Sequence, residues 1–180
     1  MLTDKTDVLP EQQEEFEAIT EVLGGVRGPF SVLAHSPGLA EKVMRAGAQV
    51  RLGSTLEPVE RELAIIATSR EKDASYEWNS HVATARRQGL SEATIDIVRS
   101  KGDVSGLDED ERDIVQFVRQ LLRTNRVSQP LFDSLVARHS DRWVVELAAT
   151  VGQYQYIAAI NNTFEVLPGP DADPLPILPS

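Results

Sequence analysis

The sequence predicts an all-α protein, and three observations lead there. Apolar residues recur at three- and four-residue spacing along most of the chain. The breaks between these runs carry helix punctuation, with Pro10, Pro37, Pro58 and Pro130 at openings and Gly24–Gly25 and Gly89 at closings. No stretch alternates apolar and polar residues as a half-buried strand does, and no fixed-period repeat occurs. The expectation is a single-domain bundle of about seven helices over residues 1–165, followed by an extended tail over 166–180.

The elements follow in chain order. Pro10 opens a first helix whose early Glu11, Glu14 and Glu15 complement the positive end of its dipole. Phe16, Ile19, Val22 and Leu23 form its apolar stripe, and Gly24–Gly25 ends it. A short segment from Pro29 to Leu33 leads to Ser36, a capping residue, with Pro37 at the first helical position. The helix that follows, about 37–51, would bury Leu39, Ala40, Val43 and Met44, while Gly47 on the same face would let a neighbouring backbone come close. Pro58 starts the next helix, with Val59, Leu63, Ile66 and Ala67 at helical spacing. A polar turn around Arg70–Asp73 separates it from a second helix that Gly89 closes. Ser91 caps a short helix, and Leu90 can staple against Ile95. Asp108 with Glu111 resembles a capping box for 109–124, whose inner face is Ile114, Phe117, Val118, Leu121 and Leu122. Ser128 with Pro130 begins a helix bearing Leu131, Leu135 and Val136. The last helix, about 141–164, is apolar almost all round, which suits the centre of the domain or a subunit interface. Five of the ten prolines stand in the final thirteen residues, so that tail is extended, over a neighbour or in solvent.

Composition narrows the functions. A chain of 180 residues with 41% hydrophobic and 26% charged residues can bury a substantial core. A net charge of −10 argues against nucleic-acid and anionic-membrane partners, which need clustered lysine and arginine. The sequence contains no cysteine, so it offers no disulfide, thiolate metal site or thiol catalysis. The acidic start lacks the pattern of a signal peptide, and no window is apolar enough to span a bilayer. A cytoplasmic location is expected.

Three groups able to handle a proton lie between Leu56 and Leu90. Glu77 and His81 are four residues apart and share a helix face, and Glu62, nineteen residues before His81, can approach across the turn between the two helices. A carboxylate beside an imidazole fixes its tautomer and leaves the other ring nitrogen free to shuttle a proton. The same i,i+4 pair also occurs on solvated helix faces, and Glu62 alone would be a salt-bridge partner. A metal reading uses the same three side chains, two carboxylates and one imidazole. The helical metal signatures, two histidines in HExxH or paired ExxH units with four carboxylates, are absent. No metal or other cofactor is therefore expected. Trp78 and Tyr76 beside the pair fit core or interface positions, and His139 between two helices fits a structural one. Tyr154, Tyr156 and Asn161 on the last helix can line a pocket or pack in the core.

The blocks RELA at Arg61–Ala64, YEWNSH at Tyr76–His81, and Gly89-Leu90-Ser91 resemble the carboxymuconolactone decarboxylase and alkylhydroperoxidase-D-like superfamily. HSP at His35–Pro37 and the VVEL, GQY and NNTF blocks between Val144 and Phe164 extend the resemblance over most of residues 30–165. It implies an all-helical fold and a homo-oligomer, commonly a trimer or hexamer, with a small-molecule substrate. The peroxidase branch would place its cysteines at Ala74 and Glu77, so a thiol peroxidase is ruled out here. The decarboxylase branch, with a glutamate four residues before the histidine, is similar to Glu77–His81. What it implies is cofactor-free lyase chemistry, in which loss of CO₂ leaves an enolate that is protonated on carbon. The implied catalytic residues are His81 as proton donor or enolate stabiliser, Glu77 as its orienter, and Glu62 as a second acid/base or orienter. His35, Trp78 and Tyr154 are the substrate-binding candidates. Two ionised glutamates would repel a dicarboxylate, and spacing puts no basic residue on the Glu77/His81 face, Arg86 and Arg87 being more than a turn away. A neutral or less acidic substrate is equally compatible. A non-catalytic oligomeric binding protein on the same scaffold and a metal-assisted enzyme are the competing expectations.

Overall fold

A computed structural model describes residues 4–23 and 25–176, and of Val22 and Leu23 the backbone alone. The expected stop at Gly24, the inward packing of Val22 and Leu23, and the end of the tail with Pro179 lie outside the described residues. All regular structure within them is helical. Two 3-10 turns, Lys5–Asp7 and Pro10–Gln12, precede α1 (Gln13–Leu23), α2 (Pro29–Leu33), α3 (Pro37–Leu52), α4 (Pro58–Glu71), α5 (Ser75–Arg87), α6 (Glu92–Arg99), α7 (Glu109–Thr124), α8 (Gln129–Arg138) and α9 (Asp141–Thr163). Among the described residues nine helices stand where about seven were expected, one of the additions being the short segment after Gly28, which closes into a helical turn of its own.

The molecule is built around α4, which packs against α5, α7 and α9. Its run from Glu62 to Arg70 is buried without interruption, the signature of a helix enclosed on every side. Leu63, Ile65 and Ile66 are each at most 1% exposed, and burial of such side chains stabilises by roughly 1.5–3 kcal/mol apiece. The main core joins Leu63 and Ile66 to Trp78 and Val82 of α5, Ile114 and Phe117 of α7, and Leu147 and Val151 of α9. A smaller cluster of Ile19, Leu33, Ala40, Val43 and Ile157 fixes the N-terminal helices to α9. The last helix buries the stripe Trp143, Leu147, Tyr154, Ile157 and Asn161, whereas Val145 on its other side and Phe164 at its C-cap are exposed.

Local chemistry sets the helix ends. Ser91, Asp108 and Ser140 accept the N–H groups of Thr94, Glu111 and Trp143, as their positions predict. Ser36 and Ser128 occupy cap positions without a side-chain cap bond, because Pro37 and Pro130 already shape the first turn. The capping box at Asp108 is half made, since the Glu111 carboxylate accepts from Thr94 (2.9 Å) and so ties α7 to α6. Leu39 is exposed, not buried. At Gly47 the close neighbour is the Gln153 side chain, which donates to the Val43 carbonyl.

Arg70 departs most from expectation. It is not part of a polar surface turn but 2% exposed, donating to the carbonyls of Arg99 (2.6 Å) and Pro176 (3.0 Å) and pairing with Asp73. The tail supplies that second carbonyl by running back over its own α5 and α6. There the Asp173 carboxylate meets Arg86 (2.9 Å) and Arg99 (3.0 Å), and its N–H donates to Asn79 Oδ1.

Candidate active site

The turn at Lys72–Ala74, with Asp73 at φ +49°, folds α5 back along α4 and brings Glu62 beside His81. Glu62 Oε2 lies 2.8 Å from His81 Nδ1, and His81 Nε2 faces Glu77 Oε2 at 3.7 Å. The imidazole thus stands between two carboxylates, one on each ring nitrogen. Its side chain is 15% exposed and each carboxyl side chain 7%. From α9, Asn161 Nδ2 donates to Glu77 Oε1 (3.0 Å), and the Tyr154 ring meets the imidazole edge-on with centroids 5.0 Å apart.

Burial pushes the Glu77 carboxyl above the ordinary glutamate range, against the opposing pull of His81, the Asn161 hydrogen bond and Arg51. Burial, then the negative charge of Glu77, pushes the Tyr154 phenol up as well. It remains a neutral donor throughout the physiological range.

These groups open onto a cavity of about 460 Å³ between α3, α5, α9 and the loop before α2. Phe30, Val43, Met44 and Ile157 give its apolar wall, and Glu77, His81 and Tyr154 a polar one. Arg27 and Arg51 also line it, and neither forms an ion pair or hydrogen bond among the described residues. In a chain of net charge −10, where most arginines are paired with carboxylates, two unpaired guanidinium groups at one cavity are a local reversal of sign. Spacing along α5 could not reveal them. Arg51 comes from the end of α3, and Arg27 from a loop turned by Gly25 (φ +131°) and Gly28 (φ +57°). At Gly28 a Cβ would collide with the Tyr76 hydroxyl, so glycine lets this loop lie directly on α5.

Glu62, Glu77, His81 and Tyr154 are therefore brought together. The other two substrate-binding candidates are not. Trp78 is fully buried in the core with the Arg99 guanidinium 5.5 Å from its ring, since one residue beyond Glu77 a helix has rotated by about 100°. His35 is exposed in the α2–α3 turn and lines a separate hollow against residues 6–12. His139 stacks on Trp143 at 4.0 Å, away from the site. Among the described residues no group of three His, Cys, Asp or Glu side chains is arranged to hold a metal ion. The reason is local, since the two imidazole nitrogens face different carboxylates and present no common coordination point.

Fold and site together define an all-helical scaffold carrying a sheltered acid–imidazole–acid cluster at the wall of a cavity. Residues 37–120, which contain Glu62, Glu77 and His81, match the carboxymuconolactone decarboxylase family. Over that span, which carries the site, the chain is similar to the carboxymuconolactone decarboxylase family. Its fold is shared by an uncharacterized peroxidase-related protein of Silicibacter sp., 20% identical over 91% of this chain and 87% of the other, with a TM-score of 0.72. A peroxidase-related protein of Ralstonia eutropha with an alkylhydroperoxidase AhpD core is 19% identical over 93% and 90%, at a TM-score of 0.74. A protein of unknown function from Agrobacterium tumefaciens is 21% identical over 79% and 99%, at 0.69. No curated protein matches the sequence significantly. Among the described residues no helix is long and apolar enough to cross a membrane.

Proposed function

We propose that this protein is a cofactor-free, lyase-type enzyme that moves a proton on a small carbonyl or lactone compound, in the manner of a decarboxylase. The observation that carries the reading is His81 held between Glu62 and Glu77 at the cavity wall. Glu62 fixes the ring by its contact with Nδ1, which directs Nε2 toward Glu77 and the cavity. This exchanges the roles that the resemblance implies for the two acids, because the orienting carboxylate is Glu62. Glu77, whose buried carboxyl favours its protonated form, is the acid.

In a decarboxylation the C–C electron pair moves into the conjugated carbonyl as CO₂ departs. The resulting enolate carbon takes a proton from the Glu77–His81 pair, and solvent returns that proton. Arg27 and Arg51 can hold a ligand carboxylate, which removes the electrostatic objection to an anionic substrate. A cysteine-cycling peroxidase is not open to this chain, which has no thiol.

The test is turnover of a panel of lactones and 2-oxo or 3-oxo acids, followed by CO₂ release and by solvent deuterium entering the product. The wild-type protein is expected to process at least one member, and His81→Ala to lose about 10²–10⁴-fold in kcat. Equal, uniformly slow rates for both proteins would favour a binding protein on the same scaffold.

A further inference from the structure

The mechanism above leaves one group at the cavity without a task. Tyr154 is 5% exposed, yet its hydroxyl makes no hydrogen bond to any described residue. Its oxygen keeps a small accessible surface on a residue that is otherwise buried. A buried tyrosine ordinarily finds a partner for its O–H. Here the residue lines the cavity, its ring is set against His81, and the charges acting on its phenol are those of Glu77, Arg51, Glu62 and Arg61. The donor is thus placed at the polar wall and left unpaired.

We propose that the Tyr154 hydroxyl and the Arg51 guanidinium form an oxyanion-binding subsite for the enolate or enolate-like oxygen of the ligand, beside the Glu77–His81 proton pair. The proposal rests on the proton-transfer reading of the site and gives it a second half. Proton delivery to carbon needs the adjacent oxygen to carry negative charge for a time, and a fixed donor with a nearby cation stabilises that charge without reorganising. The Tyr154 ring has its own support in its edge-on contact with His81, whereas the hydroxyl makes no hydrogen bond to any described residue. The hydroxyl is therefore available to a ligand at no cost to the fold. Arg51 adds full charge to the same cavity and, being exposed and unpaired among the described residues, has no partner within the protein to leave. The ligand class that fits is a small planar compound bearing an ionised oxygen conjugated to the reacting carbon.

The test uses 4-nitrophenol, which no reaction consumes and whose anion absorbs in the visible, titrated into the full-length protein on the acid side of the free phenol's pKa. Saturable binding with growth of the anion band is expected. Tyr154→Phe should weaken it about tenfold, the loss of one hydrogen bond to a charged group, and Arg51→Gln should weaken it by at least as much. Tyr156→Phe, on an exposed position of the same helix, should leave it unchanged, and melting temperatures should show each variant folded. Absence of saturable binding, binding as the neutral phenol, or equal affinity in Tyr154→Phe and wild type would overturn the subsite. Because the readout is binding, His81→Ala turnover data judge the proton-transfer reading separately.

Discussion

Glu77→Gln isolates the electrostatics of the site in one atom pair. The glutamine keeps the shape, and its Oε1 still accepts from Asn161 Nδ2, now 3.0 Å from the Glu77 carboxyl. What it removes is the ability to ionise in a position only 5% exposed. In the wild-type protein the folded carboxyl titrates above its ordinary value of 4.5 because burial disfavours the charged form. Between the unfolded and folded pKa values the native state therefore holds a proton that the unfolded chain has lost, so wild-type stability falls as pH rises through that window. Each pH unit within it costs about 1.4 kcal/mol, and the loss is complete once the folded carboxyl has ionised. The glutamine variant pays no such penalty. Its stability relative to wild type should be level in acid, rise through the window, and level off again above it. For a chain of this length 1 kcal/mol corresponds to about 2–4 °C in Tm, so paired melts from about pH 4 to pH 9 resolve the curve. The same variant should lose about 10²–10⁴-fold in kcat, since it has no proton to give. A stability difference that stays constant with pH, or one that widens on acidification, would refute the argument.

Two further variants probe what positions the cavity. Gly28→Ala places a Cβ against the Tyr76 hydroxyl at φ +57°, and should cost about 1–3 kcal/mol, read by urea titration, with Tyr76 displaced in a crystal structure of the variant. Asp173→Asn weakens the contacts of the tail with Arg86 and Arg99, and should cost about 1 kcal/mol while making the chain beyond Leu167 cut faster in limited proteolysis.

Much of the fold was legible because its signals are local. Helical spacing, prolines at first turns and a glycine at positive φ after α5 act within a few residues, and the helices begin and end near where these place them. The pairing of Glu77 with His81 was legible for the same reason, being a matter of one helical turn. Glu62 was legible only as a possibility, since its approach depends on how a three-residue turn folds α5 onto α4. Arg27 and Arg51 carried no signal in the α5 pattern because they arrive by tertiary packing, from a glycine-turned loop and from the far end of α3. Arg70 failed for a related reason. A charged residue near a helix end is normally solvated, and its burial is tolerable because Asp73, the Arg99 carbonyl and, from the returning tail, the Pro176 carbonyl take up its N–H groups. Trp78 was a candidate through its neighbours in sequence and His35 through the HSP block of the resemblance, and neither signal says which way a side chain points.

The start of α5 explains how one scaffold can serve two chemistries. Ala74 caps this helix and Glu77 lies in its first turn, the two positions where the resemblance would set cysteines. The positive end of a helix dipole lowers the pKa of a thiol placed there and so favours a thiolate. A carboxyl at the same place starts from a pKa far below neutrality, and in this protein burial outweighs the pull of His81, Asn161 and Arg51 and moves it up. The exchange of sulfur for oxygen thus turns a position suited to a nucleophile into one suited to a proton reservoir. His81, one turn further along, is held here by Glu62 from the neighbouring helix, a contact that does not depend on the residue at position 77.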